Sequence, residues 1–359
     1  MLKSLRLKNF TVFPDAHFTF GKNLNIFIGE NGSGKSHVLK AAYAAIAVSA
    51  QRAANTPNDL PTKAFLETAM ADKLRNVFRP DALGRLARRR KRGHNKCEII
   101  YEFQNKKLNV SLGFSTAAKS GVTILKTPTT WADKLPVFLP TRELLTIYPG
   151  FVSLYETSHT QFEETWRDTC VLLGKLLARG PREKVIKELL SPLEDAMGGS
   201  VELDKSGRFY LNVAGGNMEM HLVAEGLRKL ATIARLIGTG SLLDKGYLFW
   251  DEPESNLNAK VIKTVAKTIL QVARSGVQVF IATHSLFLMR ELHILQQRNF
   301  NGVAARCFGL HIGNEGAVSV QQGETMDDVG YIAALDEDLQ QSERYIDTEM
   351  GLSLPPTTH

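Results

Sequence analysis

The sequence predicts an α/β fold: a phosphate-loop core with an antiparallel β subdomain and a helical subdomain, and no long coiled coil. Three observations predict it. A glycine-rich stretch, "GENGSGKS" (29–36), stands between an apolar β-rich run and an alanine-rich helix. Two further apolar runs, in "YLFWDEPESNLN" (247–258) and "VQVFIATHS" (277–285), end in titratable residues. Buried parallel strands deliver such residues to the edge where ligands bind. Heptads are nowhere sustained long enough for a coiled-coil arm.

The chain of 359 residues is 43% hydrophobic, enough for one large core or two ordinary ones. The net charge of +7 leans mildly towards polyanionic partners. Three distant cysteines with no C-x-x-C pair speak against a disulfide framework or a zinc site. "MLKSLRLKNF" alternates charged and apolar residues, unlike a secretory leader, and "AAYAAIAVSA" (41–50) is too short to span a bilayer. The expectation is a soluble cytoplasmic protein without membrane contact.

In order along the chain, "LKSLRLKNF" has Leu2, Leu5, Leu7 and Phe10 on one approximate face, and "AHFTF" follows. Both read as antiparallel strands feeding the buried strand "LNIFIG". "KSHVLKAAYAAIAVSAQRAA" reads as a helix. Residues 51–96 read as a polar loop and helix ending in a basic run. "CEIIYEF", "KLNVSLGF" and "GVTILKT" read as short antiparallel strands, and "LPVFLP" as another buried one. Residues 151–197 read as helical, broken at Gly180-Pro181. "VELDKSGRFYLNV" reads as a hairpin around Ser206-Gly207. After a turn at Gly215 and Gly216, "HLVAEGLRKL" (221–230) opens an amphipathic helix with Leu222, Leu227, Leu230 and Ile233 at helical spacing. A helix (258–274), a second hairpin ("RCFGLHIGNEGAVSVQQ") and an acidic helix (331–349) complete the order.

"GENGSGKS" matches G-x-x-x-x-G-K-[ST] in its strand–loop–helix setting. Asn31, Gly32, Ser33 and Gly34 let the backbone curl so that its N–H groups face phosphate oxygens. Lys35 reaches the β/γ-phosphates, Ser36 offers a hydroxyl to Mg²⁺, and His37 completes the expected nucleotide-binding set. Asp251 and Glu252 follow four large apolar residues. Asp251 suits hydrated Mg²⁺, and Glu252 suits a general base for an attacking water. His284 ends the other strand; beside the first, it arrives near the same γ-phosphate, where an imidazole can orient water. The predicted catalytic residues are therefore Glu252, His284 and Lys35, with ATP and Mg²⁺ as cofactors.

The order "GENGSGKS", "VAEGLRKL", "LFWDEPESNLN", "IATHS" resembles the ABC-type ATPases, in the RecF/SMC/OLD-like branch. The resemblance spans nearly the whole chain. It implies a single domain with a discontinuous core (about 1–50, 97–150 and 201–330), a basic insertion at 51–96, a helical subdomain at 151–200 and an acidic C-terminal helix and tail at 331–359. Such ATPases sandwich ATP between two heads, which implies a homodimer or higher homo-oligomer. By this resemblance "SNLN" is the D-loop, and Glu225, Gly226, Arg228 and Asn258 contact the partner's nucleotide. The L-S-G-G-Q stretch is altered here: Ala224 replaces its serine, Glu225 one glycine, and Asn258 stands for the D-loop aspartate. The Q-loop residue is not evident; Arg142 or Glu143 lies nearest. The combination also resembles compact ATPases of antiphage systems such as Septu and retron-linked ATPases. That implies a separate nuclease or toxin effector, since this chain shows no nuclease motif. A RecF-like role in DNA maintenance is the alternative.

The run "GRLARRRKRGHNK" (84–96) holds seven basic residues and no acid. Arg85, Arg88, Arg89, Arg90, Lys91 and Arg92 are candidates for nucleic-acid or acidic-partner contact, or a solvated loop. Without interleaved aromatics the run does not suggest base stacking.

Overall fold

The computed structural model describes residues 1–350 apart from 57, 89–94, 159, 181–182 and 244–245. Its centre is a six-stranded sheet. β3 (Leu24–Gly29), β7 (Val137–Leu139), β11 (Tyr247–Asp251), β12 (Gln278–Thr283), β13 (Ala305–Ile312) and β14 (Val318–Gly323) lie in the order β14-β13-β3-β12-β11-β7. Only β14 is antiparallel to its neighbour. Every residue of β11 and β12 is buried, as a parallel sheet covered on both faces requires.

The pleat sorts side chains between two cores. Phe27, Phe138, Phe249, Phe280 and Phe308 line one face, while Ile26, Ile28, Leu248, Trp250, Val279 and Ile281 line the other. The phenylalanines form two stacked pairs at short range, Phe249–Phe280 at 4.7 Å and Phe27–Phe308 at 4.8 Å between ring centroids. Against this aromatic face lies α1 (Lys35–Asn55), whose Ala41, Ala42, Ala44, Ala45 and Ala47 are all buried. Alanine both favours the helix and keeps its face thin, so that the helix start can sit close to the strand edge.

The same core is closed by a five-stranded antiparallel sheet, β2-β1-β4-β5-β6, made of β1 (Leu2–Phe10), β2 (Phe13–Thr19), β4 (Lys96–Phe103), β5 (Val110–Ser115) and β6 (Thr123–Lys126). The expected polar stretch 51–96 is more than an outer loop. Its helix α2 (Lys63–Phe78) buries Leu66, Met70, Leu74 and Val77 in this core.

The opposite core is covered by helices. α3 (Tyr148–Thr157), α4 (Glu164–Leu173), α5 (Glu183–Met197), α6 (Glu225–Gly238), α7 (Ala259–Arg274) and α8 (Leu286–Asn299) surround it, with a small sheet of β8 (Gly199–Leu203), β9 (Phe209–Val213) and β10 (Gly216–Glu219). The glycine turn before residue 221 is shorter than the sequence suggests, because Gly216 already pairs with Val213 as part of β10. Leu222 does not join the buried stripe of α6. It sits in a single 3₁₀ turn (Met220–Leu222) and is 72% exposed, since the helix begins only at Glu225. The acidic helix α9 (Ala333–Glu349) buries none of its residues, and the tail beyond residue 350 lies outside the described residues.

Candidate functional site

The parallel register brings three strand ends to one edge. Asp251 of β11 pairs with Ala282 of β12, and Thr283 of β12 pairs with Ile28 of β3. The loop after β3, the carboxylates after β11 and His284 after β12 therefore share one rim. This is the ligand-binding edge of an open α/β sheet.

At that rim the loop turns through Gly32 and Gly34 at φ of +85° and +88°, a region open to glycine. A Cβ on Gly34 would also lie 2.6 Å from Val12 Cγ2 and 2.8 Å from Phe13 Cζ, so the first hairpin presses directly on the loop. Ser33 is buried, while Asn31 and Gly32 are exposed. The start of α1 has no acidic residue in its first turn and no side-chain cap, which leaves its N–H dipoles for an anion. Lys35 folds its ammonium back on the loop, donating to Gly29 O at 2.7 Å and Glu30 O at 2.9 Å. Burial pulls its pKa down, opposed by the Glu252, Asp251, Glu254 and Glu30 carboxylates.

Asp251 is buried, and that burial raises its pKa, while a hydrogen bond from the Ser36 hydroxyl works the other way. Ser36 and Asp251 thus meet as an oxygen donor pair, the donor type a hard divalent cation takes. One carboxylate and one hydroxyl leave the remaining coordination positions to phosphate oxygens and water, the way Mg²⁺ is held on nucleotides. Among the described residues no cluster of three or more His, Cys, Asp or Glu forms a separate metal cage.

Glu252 sits at φ +48°, in the left-handed region that non-glycine residues avoid. Its N–H is held by Ala282 O at 2.9 Å. Its carboxylate lies 3.5 Å from His284 Nδ1. A residue that sequence reasoning passed over joins them. Glu254 is buried; its Oε1 accepts from Thr283 Oγ1 at 2.6 Å and from the His284 N–H at 3.3 Å, and stands 3.9 Å from His284 Nδ1. Its Oε2 is buried with no hydrogen-bond partner among the described residues. A proton on His284 Nδ1 faces the two carboxylates, which leaves Nε2 for a bound group. The only sequence signal for Glu254 is a third carboxylate, just past Pro253; nothing in hydrophobic periodicity marks a carboxylate buried in a turn.

The predicted trans contacts look different. Glu225 Oε1 accepts from Asn256 Nδ2 of the same chain at 2.9 Å. Gly226 has its own local reason, because a Cβ there would meet Leu257 Cδ2 at 3.0 Å and Asn256 O at 3.3 Å. Arg228 is not free to reach outward: its Nε lies 3.0 Å from Glu143 Oε1 and its Nη1 donates to Val223 O at 2.7 Å. Glu143 in turn accepts from the N–H groups of Leu145 and Thr146 and from the Thr146 hydroxyl, while Arg142 is exposed. Asn258 caps α7, accepting from the Val261 N–H at 3.0 Å. Within the chain, then, Glu225, Arg228 and Asn258 each have a partner and Gly226 packs closely against the 256–257 turn.

Two more predicted residues have neighbours within the chain. The His37 ring packs 5.7 Å from that of Phe78, and burial with Lys40 nearby lowers its pKa to about 4. In the basic run, Arg85 is exposed, but Arg88 donates to Val12 O, Gly316 O and Glu315 O and ties three segments together. Arg89, Arg90, Lys91 and Arg92 lie outside the described residues.

Comparison with known proteins fits this geometry. A family described as "AAA domain, putative AbiEii toxin, Type IV TA system" matches residues 139–290, and one described as "AAA domain" matches residues 4–133. Among solved structures, an SMC head bound to the C-winged helix domain of ScpA aligns over 91% of this chain and 98% of its own, with a TM-score of 0.55 at 14% identity. The chain thus shares the fold of SMC heads and is similar to AAA-type ATPase domains over two stretches. An SMC head with an extended coiled coil, bound to the C-terminal domain of ScpA derived from Pyrococcus furiosus, gives a TM-score of 0.53 at 12% identity over 96% of this chain and 99% of that one. RecF, named a DNA replication and repair protein, is 48% identical over 42 residues in Streptococcus gordonii and 45% over 42 residues in Lactococcus lactis. Each RecF match spans 12% of this chain and 12% of the relative. Among the described residues no helix is long and apolar enough to cross a membrane.

Proposed function

We propose that the protein is an ATP-binding and hydrolysing switch. The observation that carries this reading is the meeting of Lys35, Ser36, Asp251, Glu252 and His284 at one edge of three adjacent parallel strands. The α1 start and Lys35 bind the phosphates; Ser36 and Asp251 would hold Mg²⁺, which supplies charge neutralisation on the phosphate oxygens when bound. Glu252 takes the proton from the attacking water, and His284 orients the site through its imidazole. The switch works as a homodimer or larger assembly, in which the α6 start approaches the partner's nucleotide through backbone N–H groups, since its side chains already have intrachain partners. Its cellular role is the ATPase part of an antiphage defence system that controls a separate nuclease or toxin; the toxin–antitoxin description of the family matching residues 139–290 favours that direction.

A second reading, a DNA-maintenance ATPase, is favoured by the RecF matches and the charge of +7. Purified protein is tested for Mg²⁺-dependent ATP turnover, for ATP-dependent change in native mass, and for stimulation by DNA. Turnover with a mass shift supports the switch. Salt-sensitive DNA stimulation supports the second reading of its role. Absence of ATP binding overturns both.

A further inference from the structure

Lys229 stands on the face of α6 turned to the interior, only 5% exposed. Buried lysines are rare without a purpose for the charge. Its ammonium donates to Ser255 O at 2.7 Å and to the Ser255 hydroxyl. That hydroxyl donates to Glu252 O at 3.0 Å, and the Ser255 N–H reaches the same carbonyl at 3.1 Å. The Glu252 N–H is held on the other side by Ala282 O. The peptide units flanking Glu252 are thus clamped, and the residue between them is one of the chain's left-handed non-glycine positions, as is Asn256 just beyond. A backbone held in a sparsely populated conformation needs surroundings that over-determine it.

We propose that Lys229 is a positioning residue for ATP hydrolysis: through Ser255 it fixes the strained turn that aims the Glu252 carboxylate. This rests on the reading of Glu252 as general base. Lys229 touches no reacting atom. It acts from α6, the helix whose start faces a partner in the proposed assembly, so it also links the position of that helix to the geometry of the base within the same chain. A buried lysine that merely filled space would stabilise the fold without any particular tie to Glu252.

The test measures ATP affinity and single-turnover hydrolysis for the full chain carrying Lys229→Met, Ser255→Ala, Glu252→Gln, and the pair Lys229→Met with Glu252→Gln. Ser255→Ala removes only the relay hydroxyl and keeps the measurement informative should Lys229→Met fold poorly. The expected result is ATP affinity within about twofold of the unmodified protein and turnover slower by on the order of tenfold in Lys229→Met and in Ser255→Ala, the scale of a sub-ångström misplacement. Adding Lys229→Met to Glu252→Gln is expected to slow the residual rate no further, because no base remains to be aimed. Wild-type turnover in Ser255→Ala and Lys229→Met, with Glu252→Gln stalled, overturns this proposal alone. An equal slowing by Lys229→Met with and without Glu252 also overturns it, as a merely structural effect. Wild-type turnover in Glu252→Gln overturns the general-base reading, and this proposal falls with it.

Discussion

Two helix starts in this protein, those of α1 and α6, carry similar glycine-containing sequences and have opposite electrostatic characters. The α1 start has no acid in its first turn, no side-chain cap, and a lysine folded back on the carbonyls of the loop. The α6 start has Glu225 in its first turn, hydrogen-bonded to Asn256, with Arg228 paired to Glu143. The first favours an anion; the second has its charged side chains engaged within the chain. The difference teaches that a motif names residue types, whereas the charges around a helix start set which ligand its N–H groups favour.

Substitutions that separate the two starts give graded outcomes. The largest belongs to α1. Lys35→Ala is expected to weaken ATP binding about a hundredfold, roughly 3 kcal/mol for a lost charged hydrogen-bond donor, read by calorimetric titration. Unchanged affinity would break the comparison at its stronger side.

At α6, Arg228→Met is expected to destabilise the ligand-free chain by about 1–2 kcal/mol, because Glu143, 6% exposed in its side chain, loses its cation. Chemical denaturation reads this, and a double-mutant cycle with Glu143→Gln should show coupling. Lost turnover with stability intact would instead return Arg228 to a trans role.

Asp251→Asn probes the cost of building the α1 side. Asp251 has its pKa raised by burial. A carboxyl raised in the folded state binds its proton more tightly there than when unfolded. Its contribution to stability is therefore lost as pH rises through the raised pKa. Removing the charge should stabilise the ligand-free protein by about 1 kcal/mol at pH 8, with the gain shrinking as pH falls through that pKa. Thermal melts at several pH values check the trend, which runs opposite to the loss of hydrolysis. A melting point that falls at pH 8 would contradict it.

The smallest effect is expected at Glu225. Its partner Asn256 is exposed, so Glu225→Ala should change stability by less than about 0.5 kcal/mol and turnover by less than about twofold. A marked acceleration would mean that its charge faces the nucleotide after all.

Much of the fold was legible in the sequence because its signals are local. "LNIFIG", "YLFWD" and "VQVFIAT" are buried strands as their β-rich apolar runs suggest, and the glycine loop between β3 and α1 needs its positive φ at Gly34. The rest depended on who meets whom. Glu254 and Thr283 are 29 positions apart and hydrogen-bonded, a pairing set by the β11–β12 register and written in neither segment alone. Leu222 fits a helical stripe by spacing, yet the helix begins three residues later and leaves it in water. Arg88 looks like one more charge in a basic run, yet three carbonyls from distant segments surround it. Charge and spacing identify candidates, and only the tertiary fold shows what each one touches.

The measurement that tests the account most directly is ATP binding beside single-turnover hydrolysis in Glu252→Gln. The substitution keeps the shape of the side chain and removes the base. The account predicts affinity within about twofold of the unmodified protein and hydrolysis slowed by about 10²–10⁴-fold. Hydrolysis at the unmodified rate would contradict it, because the strained turn after β11 would then hold something other than the group that activates water.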